Sequence, residues 1–185
     1  SLGVEVAKQM LVQRMDSREV NDYIFMKLGT TYDVDGNAMD GYDTIEAYMR
    51  NCDENGLGYT WFSTESLHFG MAKKKVSYYN ALCQAGEKVK LLFAVGEDVN
   101  DIVYSATVLE IVSERDAQPC PGEEGSEPEE FQNGESAKIW IKIMDIANEH
   151  NLKADMLRVR STDANLKQII SNSQFHFGYV YLPED

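Results

Sequence analysis

The sequence predicts an α+β domain: a curled, mostly antiparallel sheet of about six or seven strands, shaped as an open pseudo-barrel with helices flanking it. Three observations predict this. First, Val89, Leu91, Phe93 and Val95 alternate with Lys88, Lys90, Leu92 and Ala94, and after the cluster from Gly96 to Asp101 the run Ile102 to Val112 is again rich in β-branched residues. Period two broken once by Gly, Asp and Asn describes two antiparallel strands joined by a turn. Second, Ile139, Ile141 and Ile143 alternate with Trp140, Lys142 and Met144, which describes a further strand. Third, helix-length crossovers separate the first strands, which excludes an all-β meander and puts helices against the sheet.

The elements follow in order. Residues 4 to 20 space Ala7, Met10, Leu11 and Met15 as an amphipathic helix, expected as an extension or linker over residues 1–22 ahead of a domain at 23–185. Tyr23 to Leu28 is apolar on both sides, as a strand buried on two faces would be. Thr30 to Gly41 holds three Asp, two Gly and an Asn and is expected to be a loop. Asp43-Thr44-Ile45-Glu46 carries a helix-start pattern, and Asn55-Gly56 is the stop. Tyr59 to Ser63 is a second strand. The next helix starts between Ser66 and Met71, places Ala72, Val76, Tyr79 and Cys83 inward, gathers Lys73, Lys74 and Lys75 near its beginning, and stops at Gly86. After the hairpin, Glu114 to Ala137 has too little apolar content to pack and is expected to be a mobile surface excursion. A weaker strand covers Met156 to Val159. Ser161 or Thr162 caps a last helix with Leu166, Ile169 and Ile170 inward, and Phe175 to Leu182 closes the chain as an aromatic strand.

A length of 185 residues suits one core with an appendage. Cys52, Cys83 and Cys120 are odd in number and widely spaced, so neither a disulfide framework nor a zinc ribbon is indicated, and a reducing, cytoplasmic setting is expected. No apolar run reaches the length of a membrane span. Ser1-Leu2 in place of an initiator Met reads as a piece of a longer parent chain.

The formal charge of −14 is uneven: eight acidic residues and one Arg fall between Glu114 and Ala137, whereas residues 66 to 93 carry five lysines against Glu87 alone. A basic face on an acidic protein is therefore open to a polyanion, although solvated lysines on an amphipathic helix would give the same pattern.

Four segments taken together resemble a family. Tyr23-Ile24-Phe25-Met26-Lys27, then Trp61-Phe62-Ser63-Thr64 ahead of a helix, then Val89 to Val95 with the strand to Val112, then Ile139-Trp140-Ile141-Lys142-Ile143-Met144-Asp145 occur in the order seen in YTH domains and in the related EVE domains of the PUA-like superfamily. Ser161 to Ser171 is similar to the closing helix, so the likeness spans roughly residues 23 to 175. The resemblance implies a reader that extrudes a modified base, N6-methyladenine or a methylated cytosine, into an aromatic cage; stacking returns about 1–3 kcal/mol per base against the cost of extrusion. It implies Trp61 as the first cage wall, Phe62 and Ser63 beside the base, Lys27 and Leu28 lining the pocket from the first strand, Lys73, Lys74 and Lys75 on phosphates, and Trp140 as structural.

The chain departs from this pattern in the loop before the Trp140 strand, where a second cage aromatic is expected and the acidic excursion offers only Phe131. Either Tyr32, Tyr42 or Tyr59 completes the cage, or this chain binds something else or nothing.

His68, His150 and His176 lack acid or Cys partners at ligand or triad spacing, and no phosphate-loop, nucleophile-elbow or H-E-x-x-H motif occurs. The expectation is a non-catalytic module without cofactor or metal that binds DNA or RNA carrying a modified base, as the reading part of a larger bacterial defence or processing protein. The alternative is a protein-interaction or structural domain that keeps the fold without nucleic-acid binding.

Overall fold

A computed structural model describes residues 3–4, 20–96, 99–132, 136–172 and 174–184. The amphipathic helix expected over residues 4 to 20 falls largely outside them. The remainder folds as β1 (Asp22–Leu28), β2 (Thr31–Tyr32), β3 (Ala38–Met39), α1 (Gly41–Glu54), β4 (Thr60–Thr64), α2 (Lys73–Gln84), β5 (Val89–Val95), β6 (Ile102–Pro119), β7 (Ser136–Asn148), β8 (Arg158–Val159), α3 (Leu166–Asn172) and β9 (Phe177–Tyr181).

Seven strands form one sheet in the order β4-β7-β6-β5-β1-β9-β8. All pairings are antiparallel except β1 with β5, which the helical crossovers make parallel. The α+β class and the strand number agree with the sequence. The curled pseudo-barrel does not: the sheet is open and not strongly curled, β4 and β8 being its two edges. At the β4 edge the outward amides are already used, Trp61 N–H donating to Ser126 O at 2.8 Å and Ser63 N–H to Tyr48 Oη at 3.4 Å. A protected edge removes the need to close the sheet on itself.

Both faces are buried. On the first, Ile24, Met26, Phe62, Leu91, Phe93, Val108, Ile141 and Phe177 form the main core with α1 and α2. A register shift between Val108 and Glu110 lets Val108 and Ile111, three positions apart, face the same way. On the second face, Phe25, Leu92 and Val180 are covered by residues 152 to 170, including α3. At its far end Trp61, Trp140 and Ala137 form a separate cluster.

Three local expectations shift. The stretch from Thr30 to Gly41 folds as the β2–β3 hairpin, its turn held by Asp33 Oδ1, which accepts from Asp35 and Asn37 amides. The cap of α1 is Asp40 rather than Asp43; Asp43 sits at the third helical position and completes a reciprocal capping box. Asn165, not Ser161 or Thr162, accepts from the Lys167 amide at the start of α3.

Candidate nucleic-acid interface

Helix α1 begins hard against β1. A Cβ on Gly41 would lie 2.8 Å from both Leu28 O and Val95 Cγ1, so only glycine allows this approach. From there Gly41, Thr44 and Tyr48 follow one helical stripe that rises about 10 Å across the sheet face. At its far end Tyr48 meets two phenylalanines: Phe62 of β4 at 5.2 Å between ring centroids, and Phe131 at 5.5 Å in a stacked arrangement with 28° between planes. Phe62 in turn meets Phe93 edge-on at 5.4 Å. Tyr48, Phe62 and Phe131 are 3%, 1% and 7% exposed.

Phe131 belongs to the acidic stretch expected to be mobile. The chain instead continues β6 to Pro119, returns through residues 120 to 128, makes a 3-10 turn at Glu129–Phe131 and enters β7 at Ser136. Five contacts hold this strap against α1, the β2–β3 turn and the core. Asn51 Nδ2 donates to Gly125 O at 2.9 Å and to Glu127 O at 3.2 Å, Arg50 pairs with Glu130, Val34 N–H donates to Glu130 O, and Phe131 fills the aromatic cluster. One buried aromatic and backbone carbonyls accept the anchoring that apolar side chains usually supply.

Among the described residues, Thr44 Oγ1, Glu130 Oε1 and Tyr179 Oη are buried without a hydrogen-bond partner. In sequence Thr44 lies one helical turn before Tyr48 and Glu130 immediately precedes Phe131, and the Glu130 side chain pairs with Arg50. Thr44 is 5% exposed. An unpaired buried polar atom costs free energy that a ligand can recover. Tyr179 lies elsewhere on the same face, stacked on Tyr79 with Lys75 Nζ 4.7 Å above its ring, and burial pushes its phenol up to about 12.

The sequence-predicted residues divide between the two faces. Trp61 points to the second face and is 4% exposed; a Cβ on Gly122 would stand 2.3 Å from its indole nitrogen, so the strap lies directly against it. Tyr59 packs beside it under Lys142 Nζ, 4.0 Å from the Tyr59 ring. Lys27 shares that face with Trp61, but four strand steps of about 4.8 Å separate them, and Lys27 Nζ donates to Ile170 O at 3.4 Å. Phe62 and Leu28 instead face α1. Ser63 contributes its backbone amide to Tyr48. Lys73, Lys74 and Lys75 open α2, which packs on the same face as Phe62 through Val76, Tyr79, Leu82 and Cys83. Tyr32 and Tyr42 are exposed, and Tyr42 meets Tyr104 rather than Trp61. Phe62 and the helix that opens with Lys73, Lys74 and Lys75 therefore lie on the same sheet face, and Trp61 lies on the other.

Tyr48, Thr44 and Glu130 were not singled out from the sequence. A signal existed for the first two, since Thr44 and Tyr48 stand four apart on a helix. Phe131 was visible as an isolated aromatic in an otherwise unpackable run.

Other groups have structural explanations. Glu149 is buried where β7 ends; burial would raise its carboxyl, but donations from Ser105 at 2.8 Å, the amides of Asn151 and Leu152, and Lys90 at 3.2 Å outweigh that and hold it down at about 2. An open hollow of about 440 Å³ lies along the distal hairpin by Val112, Arg115, Gln118 and Cys120. Among the described residues no group of three or more His, Cys, Asp or Glu could hold a metal ion, and no helix is long and apolar enough to cross a membrane. No family model, curated protein or solved structure matches the chain.

Proposed function

We propose that this domain is a non-catalytic nucleic-acid-binding module that takes up a modified or extruded base, with Tyr48, Phe62 and Phe131 as its aromatic walls in place of Trp61. The observation that carries the proposal is the meeting of Phe62 and Phe131 around Tyr48. One comes from the Trp-Phe-Ser-Thr segment and the other from the segment before β7, the two places from which the resemblance expects cage aromatics, and both lie on the face that carries the α2 lysines.

A planar ring between Tyr48 and Phe131 needs about 7 Å, two contact layers of about 3.5 Å, so the 5.5 Å separation must widen by roughly 1.5 Å. The strap that carries Phe131 supplies this movement. In the same reading the domain is PUA-like, of YTH or EVE type, because the motif segments occupy β1, β4, the β5–β6 hairpin and β7 in the expected order. It serves as the reading part of a larger bacterial defence or processing protein.

The test is equilibrium binding of short single-stranded oligonucleotides carrying N6-methyladenine, 5-methylcytosine or the unmodified base, at low salt. Tighter binding of one methylated form is expected, with the Phe131→Ala protein losing about 5- to 150-fold in affinity, the worth of one stacked base. Equal binding to all forms removes the modified-base role. Absence of binding favours a protein-interaction or structural domain with the same fold, a reading supported by the net charge of −14 and by the closed state of all three aromatics.

A further inference from the structure

A bend in β6 makes a surface that neither the core nor the aromatic cluster uses. We infer that the hollow along the distal hairpin is a docking site for a basic peptide, an extended segment of a partner protein that directs one arginine or lysine between Glu114 and Asp116. The inference does not rest on the nucleic-acid reading, because the α2 lysines belong to the opposite sheet face.

The hollow follows from register. Ser113 pairs with Ile139 and Gln118 with Ala137, so β6 sets residues 114 to 117 against Lys138 alone. A bulge of this kind bends its strand and leaves backbone N–H and C=O groups over from the ladder. The bend is held from both sides. On one, Ser113 Oγ accepts from the Met71 amide at 2.9 Å and donates to Lys138 O at 2.8 Å, while the Arg115 guanidinium lies 5.3 Å from the Phe69 ring centroid. On the other, Trp140 Nε1 donates to Gln118 O at 2.9 Å, and Val112 and Cys120 pack on the cluster of Trp61 and Trp140. A surface fixed in this way loses little freedom when a ligand arrives.

Its volume of about 440 Å³ falls in the range of ligand pockets, about 300–1,000 Å³. The lining runs along a single strand from Val112 to Pro121, a shape that suits a chain segment laid beside it. Val112 and Cys120 are half-buried and give it an apolar floor, whereas Glu114 and Asp116 are exposed at its rim. Among the described residues neither carboxylate has an ion-pair partner, and the one cation of the lining, Arg115, is engaged by Phe69. An arginine or lysine matches this order, since its aliphatic stem covers apolar surface while its charged head stays in water beside a carboxylate. The backbone groups left over at 114 to 117 can meet those of the incoming segment, as in the addition of a strand to an exposed edge. The same carboxylates repel a phosphate backbone.

The probe is a blocked pentapeptide, Thr-Val-Arg-Val-Thr, titrated into the isotopically labelled whole chain at about 0.15 M salt, where attraction to distant charges is screened. A peptide with citrulline for arginine is the uncharged control of the same shape. Amide shifts are expected to centre on residues 112 to 121 and on the Trp140 indole N–H, with the arginine peptide binding at least about tenfold tighter than the citrulline one. Glu114→Gln combined with Asp116→Asn is expected to erase that preference without lowering the melting temperature, because both side chains are exposed and the chain carries −14. Asp53→Asn combined with Glu54→Gln removes the same charge from the exposed end of α1 and is expected to leave the preference intact.

Shifts spread over the acidic surface, equal binding of the two peptides, or no shift up to the solubility limit of the arginine peptide overturns the inference. An equal loss on neutralising Asp53 and Glu54 overturns it as well, since attraction would then belong to net charge. So does a Glu114→Gln, Asp116→Asn protein that melts several degrees lower, because the two carboxylates would then be part of the fold.

Discussion

At the scale of single residues, burial and hydrogen bonding decide which ionisable groups are structural. Glu149 gains several donors on folding, so its folded value lies below its unfolded value of 4.5. The stability it contributes is therefore complete above about pH 4.5 and is lost as the pH falls towards 2. Glu149→Gln is expected to cost about 3 kcal/mol at neutral pH, because Lys90 and the Asn151 and Leu152 amides lose a charged acceptor. Denaturant unfolding at pH 7 and at pH 3 checks this: the gap between parent and variant should narrow in acid, and a gap that widens would show that the carboxylate is not the group that matters. Trp61 obeys the same logic. An indole under Gly122 and beside Trp140 is a packing residue, and its place in a motif does not make it a ligand wall.

At the scale of elements, the strap of residues 120 to 132 links the two faces of the sheet. Its Ser126 oxygen closes the β4 edge, its Gly122 covers Trp61, and its Phe131 enters the core of the opposite face. Asn51 ties it to α1 and also accepts from Thr60 Oγ1 at 2.6 Å. Asn51→Ala is expected to cost about 1–3 kcal/mol and to loosen the strap selectively. Hydrogen exchange should then accelerate at the Trp61 and Phe131 amides, while β1 and β5 keep their protection. Uniform acceleration through every strand would mean that Asn51 supports the whole fold rather than the strap. In the proposed reading, base uptake would require Phe131 to draw away from Tyr48 on this same element.

At the scale of the whole molecule, the charge distribution sets stability and binding against each other. A protein of formal charge −14 repels itself, and salt screens that repulsion. The phosphate contacts proposed for Lys73, Lys74 and Lys75 would weaken with salt, with a logarithmic slope of about −2 for three contacts to a single strand. Raising salt from low ionic strength is expected to increase the melting temperature while it reduces oligonucleotide affinity. Melting curves and binding isotherms across one salt series check both, and affinity independent of salt would exclude the α2 lysines as phosphate contacts.

The strands of the sheet and the two long helices were legible in the sequence, because alternation at β5, β6 and β7 and the helical spacing of α1 and α2 are local consequences of burying one side of each element. The amino-acid order also carried the segregation of lysines into α2. It did not carry the facing of Trp61 and Phe62, since adjacent strand residues point oppositely and only the pairing of β4 with β7 under the strap settles which side meets α1. Nor could it place Phe131, whose acidic surroundings have no packing signal of their own; its burial depends on Asn51 and Arg50, some eighty residues earlier, holding the chain around it. Periodicity is set within an element and is written in the order of residues. Which aromatics meet is set by contacts between distant elements, and the tertiary structure alone brings those together.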